Sequence, residues 1–270
     1  MAVLLVITFT GQADNLKVVF LDVGQGDAIY IRTPQAQDIL IDGGPGSYAA
    51  EQIGQHMPFY DRDIELVILS HGHSDHVSGL VEILKRYQVK QIIYSGQVNH
   101  SAPDYQRFLE LTDEKNIPLN SVTHGQQIKL SSDIRLDILY PNQDYTGKTL
   151  DDLNETSVIA RLNYGQNVFL FTGDAGQEIE EQLLALELNL ASEVLKIGHH
   201  GSKYSSSRAF IEAVSPDYAV IQSGEDNSFD HPHEETLDVL NKLNIKTLRN
   251  DQLGDIVCTG NGVEIDCQDS

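Results

Sequence analysis

Residues 65–76 read "ELVILSHGHSDH", a short apolar run that stops abruptly in three imidazoles and a carboxylate. Leu66 to Leu69 suit a buried strand, whereas the residues after Ser70 belong beside water or an ion. Three of the chain's ten histidines fall within six positions there. The spacing His71-x-His73-x-Asp75-His76 therefore constrains the fold: neighbouring segments must end at the same place for so polar a terminus to be useful.

They do. "ILID" ends in Asp42, "FLFTG" runs into Asp174, and "VLKIG" into His199 and His200. "AVIQSG" leads to a loop carrying His231 and His233. Five strand-like segments thus deliver His or Asp just past their C-terminal ends, the edge where α/β architectures gather their sites.

The remaining periodicity supports that architecture. Strand patterns at 16–23, 27–33 and 38–44 alternate and turn as antiparallel neighbours. "VSGLVEILKRY" carries apolar residues at 77, 80, 81 and 84, the stripe of an amphipathic helix. "DYQRFLELTDEKN", "GQEIEEQLLALEL", "SRAFIEAVS" and "HEETLDVLNKLN" read as further helices. "QIIYSG", "IRLDILYP", "SVIARLNY", "NVFLFTGD", "EVLKIGHH", "YAVIQSG", "KTLRN" and the segment from 255 read as strands. Two strand-rich halves, each completed by helices, predict two sheets face to face with helices outside.

With 270 residues, 40% of them hydrophobic, the chain can bury a core as one domain. Its 40 acidic against 18 basic residues, a formal charge of −22, exclude sequence-indifferent coating of DNA, which needs many phosphates neutralised. A site where bound cations hold one phosphate is not excluded. Residues 1–10, "MAVLLVITFT", are too short to span a bilayer and lack a preceding Lys or Arg. Small residues at Gly11 and Ala13 nevertheless resemble a signal-peptidase site before Asp14. Residues 1–13 are read as an apolar leader or membrane-helix stub, an ordinary first strand being the third option, and residues 14–270 as the domain. Export or membrane tethering is the favoured location. Cys258 and Cys267 either form one staple or remain two thiols.

Residues two apart in an extended segment point the same way, so His71 and His73 can reach one ion together. Asp75 and His76, at the start of the next helix, can turn towards a second, with Asp174 placed to bridge ions roughly 3.5–4 Å apart. Imidazole and carboxylate donors suit Zn²⁺, Mn²⁺ or Fe²⁺. "GHHGSKYSSS" reads as a phosphate clamp, with Ser202, Lys203 and Ser205 as donors and the amides of a helix starting at Ser207-Arg208 behind them. A plain capping loop is the alternative.

Together "LDVGQGDAIYI", "ILIDGG", "SHGHSDHVSGL", "FTGDA", "LKIGHHGSK" and "DHPHEETLDVL" resemble the metallo-β-lactamase superfamily. Within it, they resemble the hydrolase domain of ComEC-type DNA-uptake competence proteins, over roughly residues 16–250. The resemblance implies an αββα sandwich and a hydrolase using two divalent ions, Zn²⁺ or Mn²⁺. It implies His71 and His73 on the first metal, Asp75, His76 and His231 on the second, and Asp174 bridging. Asp42 and Asp27 would support the ligands from behind, and His199 and His200 would flank the scissile group. His199, His200, Asp75 and Asp42 are thus the expected catalytic set, and His233 is expected at the surface.

Many superfamily members place a further His on the first metal; here neither His100 nor His124 follows a suitable strand. Asn154 stands in that region, and its amide favours a harder ion such as Mn²⁺. The implied substrate is single-stranded DNA, with a membrane uptake channel as a possible partner. The rivals are a hydrolase of small exported esters, lactones or phosphodiesters, and a non-catalytic module that kept the fold.

Overall fold

The computed structural model describes residues 5–6 and 15–270. Two eight-stranded sheets form the body of the molecule. The first runs, in spatial order, Ile265–Asp269, Ile256–Gly260, Leu16–Phe20, Ile29–Arg32, Asp38–Ile41, Leu66–Ile68, Ile92–Tyr94 and Leu119–Ser121. The second runs Leu5–Val6, Gln127–Lys129, Ile134–Tyr140, Ile159–Tyr164, Asn167–Phe171, Val194–Lys196, Tyr218–Ile221 and Lys246–Arg249. In each sheet antiparallel hairpins lead into four parallel strands at one end.

Alternation along the strands decides which layer each side chain joins. Val18 and Phe20 face the second sheet, packing with Ile31, Ile68, Leu136, Leu162 and Phe169 in the core between the sheets. Val19 and Leu21 point the other way, onto the helices Tyr48–His56, Ser74–Arg86 and Pro103–Glu114 through Ile53, Leu80 and Phe108. The outer face of the second sheet packs on the helices Gln177–Ala185, Arg208–Val214 and Glu234–Lys242 through Leu183, Phe210 and Leu240. This is the αββα sandwich expected.

Every predicted strand and helix is present within a few residues. The helix Tyr48–His56 and the short strands Leu119–Ser121 and Gln127–Lys129 were not anticipated, because "YAAEQIGQH" carries only three buried residues and the strands have three residues each. The predicted leader falls outside the described residues except for Leu5–Val6, which pair in parallel with Ile128 and Lys129. Cys258 and Cys267 lie opposite each other in the final hairpin and are disulfide-bonded. No described helix is long and apolar enough to cross a membrane.

Candidate metal centre

The parallel strands of both sheets end at one edge. Asp42 follows Asp38–Ile41, His71 and His73 follow Leu66–Ile68, Asp174 follows Asn167–Phe171, and His199 and His200 follow Val194–Lys196. Glycines let these ends close up. A Cβ on Gly79, in the helix Ser74–Arg86, would stand 1.8 Å from the Gly43 carbonyl oxygen, so that helix rests backbone to backbone on the loop after Asp42. A Cβ on Gly26 would meet the Asp75 carbonyl at 2.3 Å. Asp42, His199 and His200 themselves adopt left-handed backbone, with φ of 56°, 49° and 54°. Such conformations are held at a cost by the surrounding structure and cluster at functional sites.

Asp174 is the hub. Its Oδ2 lies 3.4 Å from Nε2 of His76 and of His200, and 3.9 Å from Nε2 of His71 and of His199. Asp75 Oδ2 approaches His200 Nε2 at 3.4 Å and His76 Nε2 at 4.0 Å. His71 Nε2 and His73 Nδ1 are 3.0 Å apart. Asp75, His76, Asp174 and His200 bring four ligand atoms within 4.8 Å of one another.

The groups behind set the tautomers. His76 Nδ1–H donates to Asp42 at 2.8 Å, leaving Nε2 for the cluster. Asp42 also accepts from the Ser70 amide at 2.7 Å and from the Ser70 hydroxyl at 2.6 Å. With its proton committed, Ser70 Oγ accepts from His71 Nδ1 at 3.0 Å, which turns the other nitrogen of His71 inward as well. His200 Nδ1–H donates to the Gln222 carbonyl at 2.9 Å and lies 3.3 Å from Asp27.

Charge explains the protonation. Burial opposes a proton on His76, but Asp174, Asp42 and Asp75 outweigh it and hold the pKa well above its usual value. His200 behaves likewise under Asp174 and Asp27. Burial disfavours the Asp174 carboxylate, yet His200 and His76 hold its pKa well below the ordinary range. Burial and the neighbouring His76 hold His71 neutral. The cluster therefore draws positive charge into itself, protons in the absence of anything stronger.

Its inward atoms are also unpartnered. His76 Nε2, His200 Nε2, Asp174 Oδ1 and Asn154 Oδ1 are buried with no hydrogen bond. Nitrogen and carboxylate donors, converging and unsatisfied, fit divalent cations, which would displace those protons.

Two expectations about the clamp change, and the metal cluster gains a member. His200 joins Asp75, His76 and Asp174 in the tight cluster, and the His231 ring lies beside it with Nδ1 buried and unpartnered. The His231 ring centroid is 6.3 Å from that of His200 and 5.5 Å from that of His199; burial, then those imidazoles, push its pKa down to about 4. The Ser202 and Ser205 hydroxyls turn inward and are buried. Ser205 Oγ donates to the Gly198 and Ser202 carbonyls, and Ser202 Oγ accepts from the Tyr204 amide. The amides ahead of Arg208–Val214 already bind an anion, the Glu180 carboxylate, which accepts from Ser206 and Ser207. Of the expected clamp only Lys203 remains exposed, 3.8 Å from Glu235.

One buried charge was missed. Lys196 is 1% exposed, ion-pairs with Asp27, donates to the Gly173 carbonyl at 3.0 Å and lies 3.9 Å from Asp174 Oδ1. Its signal was a lone lysine inside the apolar run "VLKI". His233 caps Glu234–Lys242 and, through Nδ1, accepts from the Lys203 amide. Asn154 lines, with Asp174 and His199, a cavity of about 480 Å³. His100 and His124 belong to neither potential ligand group among the described residues.

Comparison with known proteins agrees with this fold. The chain is 30% identical to ComE operon protein 3 of Bacillus subtilis and 32% identical to competence protein ComA of Neisseria gonorrhoeae, each over 89% of its length. It spans 32% of the length of each of those relatives. Igni18, a metallo hydrolase of Ignicoccus hospitalis, shares the fold at a TM-score of 0.58 and 15% identity, with 90% of this chain and 98% of that one covered. Residues 21–225 match the model of the Metallo-beta-lactamase superfamily, and the chain belongs to that superfamily.

Proposed function

We propose that this domain is a metal-dependent phosphodiesterase cutting single-stranded DNA during DNA uptake, exported or tethered at a membrane. The observation that carries the reading is Asp174, one carboxylate facing four imidazoles at 3.4–3.9 Å, with Asp75 beside it. Two divalent ions held there, Zn²⁺ or Mn²⁺, supply Lewis-acid activation of water and of a phosphoryl oxygen. His71 and His73 would hold one ion and Asp75, His76 and His231 the other, with His200 against Asp75 and Asp174, and Asp174 would face both. Asp42 and Ser70 keep the imidazole nitrogens aimed inward, and Lys196 with Asp27 steadies His200. His199, at the cavity, is the group that can hydrogen-bond a leaving oxygen. The Asn154 amide oxygen, a hard donor, favours Mn²⁺. Similarity to a relative named as a competence protein supports DNA as the polymer.

A hydrolase of small esters or phosphodiesters is the second reading, favoured by carboxylates of Asp152, Glu155 and Glu178 around the cavity. The deciding assay supplies Mn²⁺ or Zn²⁺ to the protein with single-stranded DNA, RNA, a nitrophenyl phosphodiester and a nitrophenyl ester. Cleavage of DNA at rates far above the small substrates supports the first reading. Turnover of the ester alone removes it.

A further inference from the structure

A chain carrying a formal charge of −22 needs a way to hold DNA other than a basic groove. Two exposed aromatic rings beside the metal centre offer one. Tyr204 is 69% exposed and lines the cavity shared by Asp174 and His199. The Lys203 ammonium sits 5.6 Å over its ring, backing it. The backbone beneath is pinned, since the Gln177 amide donates to the Tyr204 carbonyl at 3.0 Å and the Gln177 side chain to that of Lys203 at 3.0 Å. Phe229 is 60% exposed and stacks on His231, centroids 5.7 Å apart and planes 24° from parallel. His231 in turn meets His199 edge-on at 5.5 Å. The Phe229 amide donates to Asn227, whose side chain also holds both the amide and carbonyl of His231.

A continuous run of rings therefore leads from Phe229 to the cavity, and Tyr204 lines that cavity with His199. Asp152, Glu155 and Glu178 also line the cavity, and their negative charge repels phosphates. What the mouth can accept is the uncharged face of a base.

We infer that Tyr204 and Phe229 are stacking platforms for unpaired bases on either side of the phosphodiester at the metal centre. The inference rests on the phosphodiesterase reading and deepens it. Base–aromatic stacking tolerates any base but requires that the base be free of its partner strand. Single strands are thereby selected over duplexes without any basic groove.

The test uses the full chain with Mn²⁺, a short single-stranded oligodeoxynucleotide, and an oligomer of the same length whose residues are all abasic. Tyr204→Ala and Phe229→Ala should each lower kcat/KM on the base-bearing oligomer about tenfold. Tyr204→Trp should retain it. On the abasic oligomer the alanine penalties should shrink, because ring and base form one interaction. A second readout needs no turnover: metal-free protein should quench a single strand containing 2-aminopurine, and the alanine variants should quench it less. Equal cleavage of both oligomers by the unaltered protein overturns the stacking inference, as do equal alanine penalties on both. Those results leave the phosphodiesterase reading standing. A protein that turns over a nitrophenyl ester yet neither cuts nor quenches DNA removes both.

Discussion

One strand, Asp38–Ile41, has an aspartate at its start and another just past its end, both buried. Their surroundings differ. Asp38 accepts from the Tyr30 hydroxyl at 2.5 Å and from the Arg32 guanidinium at 2.5 and 2.7 Å, while its amide donates to Glu65 at 2.7 Å. No side-chain atom of that group is left buried without a partner among the described residues. Asp42 points into a cluster where His76, His200 and Asp174 each keep a buried atom with none. Buried carboxylates beside basic side chains are thus not in themselves a site. The end that closes on itself holds two strands together; the end that leaves donors converging on nothing is built for a ligand.

Breaking the open end at its hub should have the largest effect. Asp174→Ala should lose bound metal and lower hydrolysis by at least about 10³-fold, in a protein whose circular dichroism is unchanged. Near-full activity with bound metal would show that Asp174 is only a turn residue. At the closed end the damage should fall on stability. Arg32→Met removes the guanidinium from Asp38, whose carboxyl keeps the Tyr30 hydrogen bond and takes up a proton, and should cost about 1–3 kcal/mol in denaturant unfolding near neutral pH, with metal content per folded molecule unchanged.

Titration sharpens the same contrast. Burial, against the hydrogen bonds from Tyr30 and Arg32, pushes the Asp38 pKa up to about 7. A carboxyl raised in the folded state binds its proton more tightly there than in the unfolded chain. Its stabilisation is therefore complete below about pH 4 and is lost as pH rises towards 7, by up to about 4 kcal/mol. Unfolding free energies across that range should decline in the native protein and flatten in Asp38→Asn. An unchanged slope in the variant would exclude Asp38 as its source.

Behind the ligands the expected effect is smaller. Asp42→Ala should weaken metal affinity about 10–100-fold by freeing the His76 ring, as read by metal titration. An affinity within twofold of the native protein would mean that Ser70 and packing suffice. Lys203→Ala should be smallest. With Ser202 and Ser205 turned inward, one exposed ammonium beside Glu235 is worth no more than about fivefold in kcat/KM on DNA. A hundredfold loss would restore the clamp.

The sequence by itself determined which residue types meet at the polar edge. The apolar runs before Asp42, His71, Asp174 and His199 have strand length, and a buried strand must carry the residues after it to the end of its sheet. The αββα layering came from the same periodicities, since alternating residues must bury on both faces of each sheet. Which histidine completes the cluster was decided only by the tertiary fold. His200 and His231 both come after parallel strands, and nothing local distinguishes them. The left-handed turn at His199 and His200 brings the His200 ring to 3.4 Å from Asp174, whereas the His231 ring lies 6.3 Å from that of His200. The clamp was lost for a similar reason: a serine's spacing does not say whether its hydroxyl meets solvent or the carbonyls of its own loop. Lys196 was legible as a letter, a charge among apolar neighbours, but its partner Asp27 lies 169 positions earlier, in the loop between two strands of the opposite sheet. Ion pairs made across two sheets exist only once both have packed, and no periodicity along a single strand encodes them.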